Sequence, residues 1–142
     1  MRVLALDYGS ARCGCAVSDP TGILATPLET VLAPGSRRGL RRIVELVEEL
    51  EVERVVVGLP LSLAGGDSAQ TRASREFADA LRRRLRVPVE LYDERFTTRI
   101  AQLHEMDPAR PGPSRASEDS RAAAHLLSSW LDSRSTGGVG RA

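Results

Sequence analysis

Lysine is absent from this chain, and all 20 basic residues are arginine. That excludes a Walker A phosphate loop and Schiff-base catalysis, both of which need a lysine amine. Aromatic residues make up 4% of the 142 positions. With some of them needed in the core, no platform for stacking bases is left, so any nucleic acid would be recognised through backbone and shape. Cysteine is limited to Cys13 and Cys15. Two apart on an expected strand, they lie side by side on one face, poorly placed to bridge each other, and read as small buried thiols. A zinc site would need them to converge with His104 and His125 from three elements. No apolar run approaches the ~20 residues of a membrane span. The N-terminus lacks the pattern of a secretory signal, which leads us to expect a mature cytoplasmic protein. The net charge of +1 gives no whole-molecule field that would announce a nucleic-acid binder.

What is present fits one α/β domain. Hydrophobic residues make up 42% and charged residues 27%, ordinary for a globular protein of this length. Val3 to Leu6 form an apolar run expected to be a strand covered on both faces. Arg12–Ser18 alternates Cys13, Cys15 and Val17 against Gly14, Ala16 and Ser18, which predicts a second strand. A third strand, weakened by Pro27, is expected from Ile23 to Val31. Leu40, Ile43, Val44, Val47 and Leu50 recur at helical spacing, with arginines and glutamates on the other side. Val55–Val57 predicts a fourth strand.

The next helix is capped by Asp67 or Ser68 and carries an arginine arc at Arg72, Arg75, Arg82, Arg83 and Arg86. Glu76 and Asp79 lie in the same arc and pair with it, so that face reads as self-neutralised surface. "VPVELYDE" supplies a fifth strand at a sheet edge, and "TTRIAQLHEM" a short helix. A proline-rich loop, a final helix to Asp132 and a tail at 133–142 expected to be disordered complete the chain. Strands one to three should form an antiparallel meander, with strands four and five parallel to strand one.

The first strand ends on Asp7, followed by Tyr8-Gly9-Ser10. A carboxylate at the rim of a core costs several kcal/mol or shifts its pKa unless a donor, an arginine or a metal ion partners it. In the last helix Ala122, Ala123, Leu126, Leu127, Trp130 and Leu131 form the expected core stripe. Asp119 shares its phase, so it is expected to point inward, while Glu118 serves the helix dipole from an outward phase. Two inward carboxylates call for a cation, and Mg²⁺ or Mn²⁺ completed by water and phosphate oxygens is the usual solution. Asp93 and Glu94, on opposite faces, both offer a third acid, and position alone does not choose between them. Arg95 and the hydroxyls of Thr97 and Thr98 could contact phosphate.

"ALDYGSARCGCAVSD", "ATPLETV", "VVVGLPLSLAGG", "YDERFTT" and "EDSRAAAHLLSSWLD", in order over residues 2–132, resemble the YqgF family. Its members are described as candidate Holliday junction resolvases and as candidate pre-16S ribosomal RNA nucleases. The resemblance implies an RNase H-like fold with strand order 3-2-1-4-5 and metal-dependent cleavage of structured nucleic acid, RNA or branched DNA, by a monomer or a homodimer. It implies Asp7, Glu94 and Asp119 as an acidic triad holding Mg²⁺ or Mn²⁺, and Gly9 as the point where phosphate approaches. Arg95, Thr97 and Thr98 would line the site, and Arg115 stands where family members commonly carry a lysine. The nearer strand four ends in Gly58-Leu59-Pro60 without an acid, so Glu94 must reach across from strand five. A catalytically silent nucleic-acid or ribosome-assembly module is the alternative from another class.

Overall fold

The N-terminal apolar run forms β1 (Val3–Asp7), the middle strand of the sheet, with Val3, Leu4, Ala5 and Leu6 all fully buried. The computed structural model of the chain describes residues 1–61, 68–96 and 118–140, with backbone alone at 96 and 135–140. Antiparallel to β1 runs β2 (Arg12–Ser18), followed by β3 (Ala25–Pro27) and the two-residue β4 (Val31–Leu32). Helix α1 (Arg37–Glu49) leads to β5 (Arg54–Leu59), and α2 (Ala69–Arg82) to β6 (Val89–Asp93). A single 3-10 turn at Glu94–Phe96 follows, and α3 (Glu118–Gly140) closes the described chain.

The strand order is β3-β2-β1-β5-β6, with β5 and β6 parallel to β1. This is the expected 3-2-1-4-5 with one addition. The third strand expected over Ile23–Val31 is split, because Pro27 has no N–H for the ladder. Its second piece, β4, pairs Leu32 with Arg12 and Val31 with Cys13.

Two apolar clusters sandwich the sheet. Leu4, Leu6, Cys13, Cys15, Val55 and Val57 pack under α1 and α2, where Ile43, Phe77 and Leu81 meet them. Val3, Ala5, Ala16 and Val56 pack under α3 against Ala123, Leu127 and Trp130. Each fully buried large apolar side chain contributes roughly 1.5–3 kcal/mol. Ser36 caps α1 by accepting from Gly39 N at 3.0 Å, and Ser68 caps α2 by accepting from Thr71 N at 3.2 Å. Trp130 ties α3 to the edge strand by donating from Nε1 to Glu90 Oε2 at 2.9 Å, and Arg54 holds the other oxygen of Glu90 at 2.9 Å.

The helix phases expected from sequence are each rotated slightly. On α2 the buried face is Thr71, Ser74, Phe77, Ala78 and Leu81, with Ala73 and Ala80 at its flank. On α3 Ala122 is exposed, while Ser120, Ala123 and Ala124 are buried. Ala122, Ala123 and Ala124 are consecutive and identical, so their hydrophobicity cannot fix the phase. The backbone of α3 stays helical to Gly140, past Asp132, where the sequence reading ended the helix and began a tail. The helix expected at "TTRIAQLHEM" and the proline-rich loop lie outside the described residues, as do Thr97, Thr98 and Arg115.

Candidate active site

Strand alternation sends Val3, Ala5 and Asp7 to the α3 side of the sheet, and Leu4, Leu6 and Tyr8 to the other. Tyr8 packs its ring on Phe77, with centroids 4.6 Å apart, which anchors the chain just after Asp7. Asp7 therefore sits under α3 at the carboxyl end of the central strand. Its neighbour on β2 is Gly14. On β5, one step beyond the Leu6–Val57 pair, its neighbour is Gly58, which in turn pairs with Tyr92 of β6.

Both glycines are points of close approach. A Cβ on Gly14 would fall 1.9 Å from the carbonyl oxygen of Asp119, so the first turn of α3 lies directly on this strand. A Cβ on Gly58 would fall 2.6 Å from Oε1 and 3.1 Å from Cγ of Glu94. Glu94 follows Tyr92 by two residues and crosses over Gly58 to reach Asp7. The reach across strand four that the order 3-2-1-4-5 demands is made in this way, over a position without a side chain.

The carboxyl of Glu94 lies within hydrogen-bonding reach of that of Asp7. Burial and the Asp7 contact raise Glu94 from 4.5 to about 8, so at neutral pH its carboxyl is protonated and donates to Asp7. Asp7 is raised chiefly by burial, with a further push from the charge of Asp119, while the bond from Glu94 pulls it down. This is the pattern of like charges crowded at one place, where a single proton relieves their repulsion.

Asp119 belongs to the same end of the sheet, but it does not face inward as expected. Its side chain is 44% exposed, with Oδ2 at 3.4 Å from Nε of Arg12. The inward position at the start of α3 belongs to Ser120, fully buried, whose Oγ accepts from Cys15 N at 3.2 Å. Among the described residues no three acidic, cysteine or histidine side chains are gathered closely enough to cage an ion. Asp7 and Glu94 meet, and Asp119 stands beside them on a salt bridge. All three nonetheless offer hard oxygen donors suited to Mg²⁺ or Mn²⁺, and a proton held among crowded carboxyls is what such an ion displaces.

Asp93 does not join them. Its carboxylate takes Nε of Arg95 at 3.0 Å, NH2 at 2.7 Å and the Arg95 backbone N–H at 2.9 Å, which holds its pKa below the usual carboxylate range. Arg95, expected to face phosphate, is thereby spent on Asp93. Gly9, expected to admit phosphate, is crowded by protein: a Cβ there would fall 2.7 Å from the carbonyl oxygen of Arg12, so this glycine closes the β1–β2 turn. Three residues near the site carried no sequence expectation of this kind: Arg12, Gly14 and Gly58. An isolated glycine inside a strand pattern signals close backbone approach, and Gly14 carries that signal. Arg12 is visible only through its partner.

The family profile RuvX, described as Holliday junction resolvase, matches residues 1–133. A Mycobacterium leprae protein named as a candidate pre-16S rRNA nuclease is 48% identical over 133 residues, 92% of this chain and 72% of its own length. One of the same name from Koribacter versatilis is 40% identical over 137 residues, covering 94% of this chain and 88% of its own. Among solved structures, Thermus thermophilus RuvC in complex with a Holliday junction substrate superposes with TM-score 0.67 at 17% identity, over 96% of each chain. The fowlpox virus resolvase in complex with Holliday junction DNA gives 0.54 at 10% identity, over 94% of this chain and 98% of its own. At such identities these two structures speak to the fold alone, which is the RNase H-like architecture expected from the motifs.

Proposed function

The chain belongs to the RuvX family, and from that premise we propose that it is a divalent-metal-dependent nuclease. It would hydrolyse phosphodiesters in structured RNA, in forming the 5′ end of 16S rRNA from its precursor. The observation that carries this is the Glu94 carboxyl folded over Gly58 onto Asp7, beside Asp119. Asp7, Glu94 and Asp119 would hold the ion, with Asp119 exchanging Arg12 for it. A bound divalent ion supplies Lewis-acid stabilisation of charge on the phosphodiester.

The chain's own part is to crowd the carboxyls of Asp7 and Glu94 at the end of the central strand and to hold a proton on Glu94 at neutral pH. Arg12, which lies on Asp119, would be free to meet a phosphate oxygen if Asp119 turned to hold an ion. With few aromatics to stack on, the substrate would be read by backbone and shape. Among the described residues no helix is long and apolar enough to cross a membrane. The relatives named for pre-16S rRNA favour RNA, and the fold shared with enzymes seen on Holliday junctions supports branched DNA as a second substrate class.

The test is direct. Purified protein is given an end-labelled RNA carrying the 5′ leader and start of 16S rRNA, and in parallel a four-way DNA junction, with Mn²⁺ or with EDTA. Mn²⁺-dependent cleavage of the RNA, lost in Asp7→Asn, is the expected outcome. Cleavage of the junction alone would make the chain a resolvase. Binding without cleavage, together with no uptake of Mn²⁺ in a calorimetric titration, would make it a silent assembly module.

A further inference from the structure

Of the three helices described, α1 carries its charges against its own dipole. Arg37, Arg38, Arg41 and Arg42 fill its first turns, and Glu45, Glu48 and Glu49 its last; there is no acid in the first turn and no base in the last. In contrast, α2 ends on Arg82 and α3 begins with Glu118 and Asp119. Cations at a helix N-terminus are unfavourable, and all four arginines are exposed, so neither helix stability nor packing accounts for them.

Arg38, Arg41 and Arg42, together with Glu45, also line one concavity of about 450 Å³, closed on its other side by Thr30 and Leu32. Arg42 touches Glu45 and Glu49, each at 3.5 Å, the far limit of a hydrogen bond. Arg38 and Arg41 make no ion pair among the described residues. Leu32, 72% exposed, offers an apolar floor. It is also the ladder partner of Arg12, whose guanidinium lies on Asp119. The concavity thus begins one strand beyond Arg12 at the same end of the sheet, on the α1 face, so a chain leaving the acids on the α3 face would reach it by passing around the β2–β4 edge.

We propose that this concavity is a second phosphate-backbone site, which takes the stretch of polynucleotide flanking the cleaved bond after it has passed Arg12. The proposal rests on the nuclease reading above. Guanidinium forks suit paired phosphate oxygens. On the exposed helix Arg41 and Arg42 lie about 4.5 and 6 Å along the axis from Arg38, an extended arrangement that suits successive phosphates better than one compact anion. RNA and DNA present the same chemistry here.

The test compares Arg38→Gln/Arg41→Gln with Arg83→Gln/Arg86→Gln, a pair of exposed positions at the end of α2 and beyond that removes equal charge. Affinity for a labelled 20-base-pair RNA duplex and for a DNA duplex of the same length is measured in EDTA over a range of salt. The α1 variant should bind the RNA at least about tenfold more weakly near 0.1 M salt, with a log–log salt slope smaller by about two, one per lost phosphate contact. It should melt no lower than wild type, because cations leave a helix N-terminus, so weaker binding is not misfolding. The α2 variant should bind as wild type does.

Loss on one duplex and not the other assigns the site to that strand type. Unchanged affinity and slope on both, or equal losses in both variants, overturns the proposal. Cleavage of RNA by wild type with Mn²⁺ is scored separately, so failure of the nuclease reading and failure of this site give different results.

Discussion

Glu94 reaches Asp7 only because Gly58 has no side chain: a Cβ at Gly58 would lie 2.6 Å from Oε1 of Glu94. The edge strand β6 is two places from β1 in the sheet, and the strand between them yields at this one position.

Gly58→Ala is therefore a test of the site. The new methyl also meets Leu126 Cδ2 at 3.1 Å, but that side chain can shift, so the expected stability loss is about 1 kcal/mol, at the low end for overpacking. Displacing a ligand by roughly 1 Å is expected to cost about 10²-fold in turnover. Gly58→Ala should keep a cooperative melt within a few degrees of wild type and lose about two orders of magnitude in Mn²⁺-dependent cleavage. A variant with wild-type turnover would mean that Glu94 has no part in holding the ion.

The proton on Glu94 makes the metal-free protein sensitive to pH. Glu94 has its folded-state pKa raised from 4.5 to about 8, so between those values the folded state holds a proton that the unfolded state has released. Its contribution is full below about pH 4.5 and is lost as pH rises through about 8. In EDTA the wild type should lose stability across that window relative to Glu94→Gln, whose amide does not titrate. Mn²⁺ must expel the same proton, so Mn²⁺ affinity should climb with pH to about 8 and then level off. A difference in melting temperature between the two proteins that stays constant from pH 5 to 8.5 would remove the proton from Glu94.

How much of this could be read in the sequence depends on how each residue is placed. The first strand, its carboxylate end, the antiparallel meander and the parallel direction of the later strands follow from the apolar run before Asp7, the alternation at Arg12–Ser18 and the crossover rule, whereas the order of the sheet follows only from the family resemblance. Glu94 was one of two candidates. Strand alternation puts it on the Tyr92 face and Asp93 on the other, but which face carries α3 is decided by packing. Asp119 was placed in the right helix and in phase with buried Ala123, Leu126, Leu127 and Trp130, but at the helix tip its side chain is half-exposed on Arg12 instead of buried, which phase alone does not reveal. Arg95 could not be judged from sequence, because the residue that holds it, Asp93, is the neighbour that competed for the same role. The partnership of Arg12 with Asp119 joins the two ends of the chain, and no local pattern encodes it.

Arg95 carries a prediction that reverses its sequence expectation. With Asp93 on its guanidinium, it adds little net charge toward a phosphate. Arg95→Ala should leave the salt slope of RNA binding within a few tenths of wild type, where loss of a true phosphate contact removes about 0.7–0.9. Titrating RNA binding against salt in EDTA decides it, and a drop near one would show that Arg95 leaves Asp93 for the substrate.

Asp119 and Glu118 separate ligand from dipole. Both lie in the first turn of α3, and Asp119→Asn and Glu118→Gln remove the same charge from it. As helix-terminal charges each contributes roughly 0.3–1 kcal/mol, so similar small shifts in melting temperature are expected. Asp119→Asn also gives up the Arg12 bridge, but at 61% and 44% side-chain exposure that pair adds little more. Activity is where they part. Only Asp119 acts on Asp7 through its charge, and only Asp119 stands beside the Asp7–Glu94 pair. Asp119→Asn should lose several orders of magnitude in Mn²⁺-dependent cleavage and bind Mn²⁺ more weakly, while Glu118→Gln retains most of both. Equal rates in the two variants would make Asp119 a surface charge on Arg12 and leave Asp7 and Glu94 to hold the ion alone.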